Sequence, residues 1–168
     1  HRDLHLSLRR QRQMCIRDRF TVQEEVGLRG AQASTLEIQP DFSFGLDTTI
    51  AFDTPGAKPQ EQCTKLGEGV AIKIMDSSVI CDQRMVEFMK TVADEKKIEW
   101  QPEILRAGGT DTASLQRMTP GGSIAGAVSL PTRHIHQVIE MCNKHDVAEA
   151  IKLLAACLCG LDKYDWDF

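Results

Sequence analysis

The sequence predicts an α/β protein in which helices cover both faces of a sheet. Its 168 residues suffice for a single domain with a buried core, and 42% of them are hydrophobic and 26% charged, as in ordinary globular proteins. Segments with strand-like and helix-like periodicity alternate along the chain, which favours a layered α/β architecture. We predict strands near residues 19–24, 42–52, 70–75, 99–105 and 123–129, and helices near 29–35, 82–96, 110–117 and 146–160.

Two of the predicted helices show a clear apolar stripe, the pattern of a helix that packs on a core. In the helix near 82–96 the stripe consists of Met85, Phe88, Met89, Val92 and Ala93. In the last helix it consists of Val147, Ile151, Leu154 and Leu158. Asp146 lies near the predicted N-cap of this helix, and Gly160 is its predicted stop.

The charge distribution argues against two classes of partner. Residues 1–19 carry six Arg and two Asp, a net charge of +4, whereas the whole chain carries −4, so residues 20–168 sum to −8. An acidic body of this kind is not expected to bind nucleic acid or an anionic membrane. No apolar run reaches the roughly 18–20 residues that span a bilayer. Six scattered cysteines in a domain of this size favour a reducing cytoplasm.

Residues 1–19 form a predicted unit of their own. The segment is rich in Arg and has neither an initial Met nor a strand or helix period, so a transit peptide or an RNA-binding arm is conceivable. We favour a third interpretation, in which residues 11–19 are translated adaptor sequence and the segment is a non-native tail. On this interpretation residues 20–168 are the native part of the chain.

Carboxylates lie beside two predicted strands. Glu24 and Glu25 follow the apolar run of Phe20 and Val22, and Asp47 lies within a strand-like apolar segment. Two acids after a strand usually form a solvated turn, and an acid within a strand often lies at a solvated edge. Where such a group is buried it needs a partner, and a metal ion would supply one.

Two loops add further polar residues. Gly108 and Gly109 precede Thr110 and Asp111, which either cap the following helix or line a pocket. The segment after the last predicted strand contains Arg133, His134 and His136. Arg133 either fixes a carboxylate of a substrate or braces the loop. The two histidines would face the same side in an extended segment, and either could be a ligand or a surface residue.

Carboxylates and imidazoles together indicate a particular class of metal. Mixed oxygen and nitrogen ligands suit Zn, Co or Mn better than Ca or Mg. Two such cations can activate a shared water and polarise a carbonyl, while a free carboxylate accepts the proton.

Four motifs in this order resemble one known family. They are residues 20–31, 46–56, 108–111 and 131–136, and they resemble the C-terminal part of the glutamyl-aminopeptidase and tetrahedral-aminopeptidase family of dinuclear metallopeptidases. Some members of that family carry an endoglucanase label. The resemblance covers residues 20–168. It implies a three-layer zinc-peptidase-like catalytic domain with a mixed sheet and flanking helices, of which this chain is an N-terminally truncated part.

The resemblance also implies roles for individual residues. Glu24 matches the general base, Glu25 a ligand of one metal ion, Asp47 a terminal ligand of the other, and His136 the late histidine ligand. It further implies two divalent ions (Zn or Co), peptide substrates and a cytoplasmic homo-oligomer. Thr110, Asp111 and Arg133 are the candidate substrate-binding residues.

Some features of the family are not matched. Its early histidine, its bridging aspartate and its small β-rich dimerisation domain would all precede Phe20. His134 stands where relatives commonly have an aromatic residue, and we assign it no metal role. We therefore predict that this chain by itself binds metal weakly and is inactive, and that a longer parent is an aminopeptidase.

Two alternative functions belong to other classes. Glycoside hydrolysis needs two acids that face each other across a sugar at about 5–9.5 Å, which adjacent Glu24 and Glu25 fit less well than a metal cluster does. A non-catalytic assembly subunit is the second alternative.

Overall fold

A computed structural model describes residues 15–167 of the chain. The elements run in the order α1 (Arg29–Ile38), β1 (Phe42–Ile50), β2 (Val70–Met75), α2 (Gln83–Lys96), β3 (Trp100–Ile104), α3 (Thr112–Arg117), β4 (Ile124–Arg133), β5 (Met141–Cys142) and α4 (Lys144–Gly160). A short 3-10 helix, Pro59–Glu61, lies in the connection between β1 and β2.

The sheet is mixed, as the resemblance implies. Its order is β1-β4-β2-β3, with β5 paired to the end of β4. The pairs β1–β4 and β2–β3 are parallel, whereas β2 and β4 are antiparallel. Parallel strands need long crossover connections, and the helices of this chain supply them.

Helices cover both faces of the sheet, which confirms the three-layer prediction. Helices α2 and α4 pack on each other and on β2 and β4, while α3 packs on β1 and β4 and α1 packs on α3. Two glycines permit these close approaches. A Cβ at Gly45 would lie 2.0 Å from Oγ1 of Thr112 in α3, and a Cβ at Gly126 would lie 2.5 Å from Cγ of Met85 in α2. Gly45 pairs with Ala127, so Gly126 points to the opposite face.

The core lies between the sheet and the α2–α4 layer. All five residues of the stripe predicted for α2 are buried, and Asp82 caps this helix by accepting a hydrogen bond from the Arg84 N–H at 3.0 Å. Tyr164 and Trp166, which follow α4, stack against Phe88 with ring centroids 4.9 and 5.1 Å away. Burial of each large apolar side chain contributes about 1.5–3 kcal/mol.

Two sequence predictions about elements are wrong. Residues 19–24 form no strand, and Phe20 and Val22 are 95% and 68% exposed, because no other described strand pairs with them. The N-cap of α4 is Asn143 rather than Asp146, since its side chain accepts a hydrogen bond from the His145 N–H at 2.9 Å.

Most of the predicted tail, residues 1–14, lies outside the described residues. Residues 15–19 are exposed and have no regular secondary structure. Within residues 15–167, no helix has both the length and the apolar character that crossing a membrane requires.

Candidate active site

Glu24 and Glu25 lie on a tight turn before α1. The carbonyl of Glu24 accepts hydrogen bonds from the N–H groups of Gly27 and Leu28 at 3.1 and 3.0 Å. Gln23 has a φ of 59°, a left-handed conformation that is strained for a residue with a Cβ. A Cβ at Gly30 would lie 2.5 Å from the backbone of Val22, so only glycine lets α1 begin this close to the turn. The turn therefore presents two adjacent carboxylates outside any strand.

Two side-chain contacts hold this turn against the rest of the domain. The hydroxyl of Thr21 donates to Oδ2 of Asp111, at the start of α3. Oε1 of Glu25 lies 3.0 Å from Nε2 of His136, which follows β4. Both Glu25 and His136 are largely exposed, at 71% and 68%. The contacts bring residues from three separate motifs of the sequence into one region.

His134 and His136 lie on turns rather than in an extended segment. Their φ angles are 59° and 62°, so the extended backbone that would place both side chains on one side is not formed. Strand β4 ends at Arg133, and the chain must turn back immediately to form β5, which pairs with β4 through Met141 and Cys142. The left-handed backbone at His136 is of the kind that is often retained at functional sites.

Asp47 lies on β1 and faces the same side of the sheet as Gly45 and α3. It pairs with Ser129 of β4, and its Oδ1 accepts a hydrogen bond from the N–H of Thr48 at 2.7 Å. Burial raises the pKa of Asp47, and the charges of Asp111 and Glu103 raise it further, while the Thr48 hydrogen bond and Lys73 oppose the rise. Asp47 is thus a strand-borne acid in negatively charged surroundings.

The surroundings of Glu24 connect these residues. Partial burial raises the pKa of Glu24 from 4.5 to about 7, and the neighbouring charges of Asp47, Glu25 and Asp111 add to the rise, with His136 opposing it. All four residues predicted from the sequence as base or metal ligands thus lie close enough to interact electrostatically. A carboxyl group with a pKa near 7 can both take up and release a proton at neutral pH.

The three candidate substrate-binding residues have different surroundings. The Thr110 hydroxyl points inward and donates to Oδ2 of Asp76 at 3.3 Å. Asp111 begins α3, but its side chain makes no cap and instead accepts the bond from Thr21. The guanidinium of Arg133 binds Asp53 through two hydrogen bonds of 2.6 and 2.9 Å. Of the two roles open for Arg133, this geometry favours the brace.

Comparison with known proteins identifies the family. A model of the M42 glutamyl aminopeptidase family matches residues 8–153 of the chain. The chain belongs to this family. It is 33% identical over 141 residues to the glutamyl aminopeptidase of Lactococcus lactis subsp. cremoris, a match that covers 84% of this chain and 38% of that protein.

Solved structures of aminopeptidases share the fold. An aminopeptidase of the archaeon Desulfurococcus kamchatkensis superposes with a TM-score of 0.79 at 38% identity, over 81% of this chain and 39% of that chain. The TET1 peptidase of Pyrococcus horikoshii, which can assemble into a tetrahedron or a large octahedral shell, superposes with a TM-score of 0.69 at 31% identity, over 82% of this chain and 38% of that chain. The chain spans about two fifths of the length of the curated relatives it matches.

The residues present fit a divalent cation in their chemistry. Glu25 and His136 offer a carboxylate and an imidazole side by side, and Asp111 Oδ1 is buried without a hydrogen-bond partner among the described residues. Within residues 15–167, however, no three His, Cys, Asp or Glu side chains are grouped closely enough to hold a metal ion. The described residues of this M42 chain thus offer suitable donor atoms but no complete ligand set.

Sequence reasoning missed two groups of residues behind the site. Asp53 is the partner of Arg133 and also accepts a hydrogen bond from the Leu66 N–H at 2.9 Å. Lys73 and Glu103 form a fully buried ion pair with Nζ and Oε1 2.6 Å apart. A charged residue within an apolar strand indicates a group that needs a partner, as argued above for Asp47. Lys73 in the sequence VAIKIM shows the same pattern.

Proposed function

We propose that this chain forms part of the catalytic domain of a metal-dependent aminopeptidase, with Glu24 as its general base. Glu25, Asp47 and His136 are the metal ligands that the chain contributes to a site for two divalent ions, Zn or Co. The complete M42 protein that contains this chain would hydrolyse the N-terminal residue from peptides. Membership of the M42 family supports the reaction class.

One observation carries the assignment of roles. Glu24 has a pKa raised to about 7, and the titratable groups that influence it are Asp47, Glu25, Asp111 and His136, which come from four different segments of the chain. Four carboxylates and an imidazole in one region favour cation binding. Glu24 is the best placed to exchange protons, because Glu25 is already in contact with the imidazole of His136.

The chain's own residues account for the proton transfers. In its ionised form, Glu24 takes a proton from the attacking water, and as a neutral acid it passes that proton to the amine of the departing peptide. The hydrogen bond from Thr21 to Asp111 holds the Glu24 turn against the start of α3. The two divalent ions of the proposed site, for which Glu25, Asp47 and His136 would each supply a ligand, would provide Lewis acidity toward the peptide carbonyl and the water. Of the three candidate substrate-binding residues, Asp111 is proposed to contact substrate, whereas the buried Thr110 hydroxyl binds Asp76 and Arg133 stabilises the loop that contains Asp53.

We also propose a cellular location, an assembly state and a substrate class for the complete protein. The free state of all six cysteines supports a cytoplasmic location, because a reducing compartment preserves free thiols. The shells formed by the Pyrococcus horikoshii peptidase support a homo-oligomer for the complete protein. Peptides are the proposed substrates.

The decisive experiment compares single carboxylate variants in the complete reading frame that contains this chain. We expect Glu24→Gln to lower kcat for an amino-acyl anilide by about 10²–10⁴-fold, the usual contribution of a general base, with little change in Co²⁺ affinity. Glu25→Gln should instead weaken Co²⁺ binding. Glu95→Gln, an exposed change on α2, is the matched control and should alter neither property.

The same assays can contradict the proposal. Cleavage of soluble cellulose that resists a chelator would favour the glycoside-hydrolase alternative, and a defined metal-free oligomer without any hydrolase activity would favour an assembly subunit. For this chain alone we expect weak binding of Zn²⁺ or Co²⁺ in a calorimetric titration and no turnover. Tight binding of two equivalents with peptidase activity would refute that expectation.

A further inference from the structure

A buried network of charged and hydroxyl groups lies on the same face of the sheet as Asp47. Lys73 of β2 is fully buried, and its Nζ lies 2.6 Å from Oε1 of Glu103 and 3.2 Å from Oδ2 of Asp76. Two threonine hydroxyls complete it. Thr49 donates to Glu103 at 2.7 Å, and Thr110 donates to Asp76 at 3.3 Å. We call these five residues the Lys73 network.

The strand register explains why the network reaches the candidate site. Lys73 pairs with Glu103 across β2 and β3, and Ser129 pairs both with Ala71 of β2 and with Asp47 of β1. Directly paired residues share a face of the sheet, and so do residues two apart on one strand. Lys73 and Asp47 therefore lie on the same face.

Each end of the network is next to an acid that interacts with Glu24. Thr49 follows Asp47 by two residues on β1, and Thr110 immediately precedes Asp111. Asp47 and Asp111 both raise the pKa of Glu24. A continuous series of hydrogen bonds thus joins the strand that positions Asp47 to the loop that positions Asp111, with Lys73 at its centre.

The energetics indicate that this connection is rigid. An unpaired ammonium group in a fully buried position would be strongly destabilising, so Lys73 must keep both carboxylates in place. Burial by itself lowers the pKa of Lys73, but the charges and hydrogen bonds of Glu103 and Asp76 outweigh it and raise the pKa above its usual value. Lys73 is therefore charged at all relevant pH values, and displacement of either carboxylate is costly.

We propose that Lys73 is a positioning residue for the candidate site. Through Glu103 and Asp76 it fixes the separation between Asp47 and Asp111. The inference rests on the proposed function, since positioning matters only if these acids act together.

The first test measures whether the two ends of the network are coupled, and it needs neither metal nor activity. The N–H groups of Ala113 and Ser114 donate to the carbonyls of Thr110 and Asp111 at 3.0 and 2.9 Å, so their hydrogen exchange reports on the Asp111 loop. We expect Thr49→Val, which removes a donor at the far end, to accelerate exchange at both amides about tenfold, the effect of losing one hydrogen bond to a charged group.

The matched control is Thr64→Val. Thr64 is also buried and loses one hydrogen bond, to the carbonyl of Ile50, but it is not part of the Lys73 network. This control should leave Ala113 and Ser114 unchanged. If Thr49→Val accelerates hydrogen exchange at these amides no more than Thr64→Val does, the Lys73–Glu103 ion pair only stabilises the fold. The proposal is then overturned.

A cycle with Lys73 itself sharpens the result. In a Lys73→Met, Glu103→Gln background, Thr49→Val should no longer change exchange at Ala113, because the connection is already broken. Glu103→Gln accompanies the change so that Glu103 is not left as a buried carboxylate without its ammonium partner, while Asp76 keeps its hydrogen bonds from the N–H groups of Ser78 and Val79. If this background fails to fold, Thr110→Val combined with Thr49→Val tests the same point, and we expect the two changes not to be additive. Full additivity would contradict coupling.

A second readout connects the network to the site. In the complete protein, Thr49→Val and Thr110→Val should each weaken Co²⁺ binding severalfold. The double variant should bind Co²⁺ no more weakly than whichever single variant has the lower affinity. If exchange shows coupling but neither these variants nor Glu25→Gln alter Co²⁺ affinity, the proposed function fails while the network stands. If Glu25→Gln weakens binding and the threonine variants do not, the positioning role fails alone.

Discussion

A carboxyl group whose pKa rises on folding makes the folded state less stable as the pH rises. Glu24 titrates near 4.5 in an unfolded chain and near 7 in the fold. Between these values the folded state retains the proton and the unfolded state has lost it, so unfolding releases a proton and becomes easier with increasing pH. The contribution of Glu24 to stability is present below pH 4.5 and is lost as the pH passes through 7.

The pH dependence of stability should therefore be smaller without this group. We expect the metal-free chain to lose more stability between about pH 5 and about pH 7.5 than the Glu24→Gln variant does, as measured by urea unfolding. Glu95→Gln should behave like the unmodified chain, because Glu95 is exposed on α2. Parallel curves for Glu24→Gln and the unmodified chain would show that Glu24 does not titrate in this range.

The contact between Arg133 and Asp53 allows the two roles of Arg133 to be separated. Lysine keeps the charge but cannot form the paired hydrogen bonds, so Arg133→Lys should lower the free energy of unfolding measured in urea. Since Asp53 also accepts from the Leu66 N–H at 2.9 Å, hydrogen exchange at Leu66 should become faster. Unchanged exchange at Leu66, together with a higher KM for peptides in the complete protein, would instead favour contact with substrate.

At the scale of elements, α4 is attached to the sheet by acids as well as by apolar residues. Asp146 is fully buried and accepts hydrogen bonds from the N–H groups of Gly67 and Gly69 at 2.8 and 3.0 Å. Glu149, one turn later, accepts from the N–H of Glu99 at 3.0 Å. These contacts fix the loops that precede β2 and β3, the two strands that carry Lys73 and Glu103.

Asp146→Asn should test this attachment. An amide has only one oxygen to accept hydrogen bonds, and its NH₂ group would face a backbone donor, so the free energy of unfolding should fall by about 1–3 kcal/mol. Asp162→Asn, an exposed change just after α4, is the control and should have no measurable effect. Equal unfolding midpoints for the two variants in urea would mean that the loop finds other partners.

The elements differ in how well the sequence predicts them, and the physical reason is visible in each case. Helix α2 was predicted almost to the residue, because its stripe packs on a single core and Asp82 caps it. The strand predicted at 19–24 is wrong because strand formation depends on a neighbour, which local sequence does not reveal. The stripe predicted for α4 is displaced by one residue, since Leu153 and Cys157 are buried whereas Leu154 and Leu158 are only half-buried. Ile151 is 65% exposed, whereas Asp146 and Glu149 are buried by hydrogen bonds to distant loops.

At the scale of the whole molecule, the ion pairs near the candidate site join residues that are far apart in the sequence. Lys73 and Glu103 are 30 residues apart, and Asp53 and Arg133 are 80 apart. Both pairs depend on strand register, which a pattern of apolar residues leaves undetermined when the strands are buried on both faces. The candidate acids and His136 were found from the sequence because each lies in a motif that resembles a known family. The residues that position them have no such motif.

An apolar groove between the sheet and α4 determines how the isolated chain should behave. It is lined by Leu46 of β1, Val128 and Leu130 of β4, and Ile151 and Leu154 of α4. Leu46 and Ile151 are 60% and 65% exposed, and contiguous apolar surface of this kind promotes association, whereas isolated exposed residues do not.

We therefore expect the isolated chain to self-associate, and Ile151→Lys to weaken that association. Burial of an isoleucine side chain contributes about 1.5–3 kcal/mol, so the association constant should fall on the order of tenfold or more in sedimentation velocity. Leu36→Lys is the matched control, because Leu36 is 52% exposed but lies on α1, on the opposite side of the sheet. If Leu36→Lys reduces association as strongly as Ile151→Lys does, association depends on general hydrophobicity or charge. If only Ile151→Lys reduces it, the groove is the surface through which copies of the chain meet.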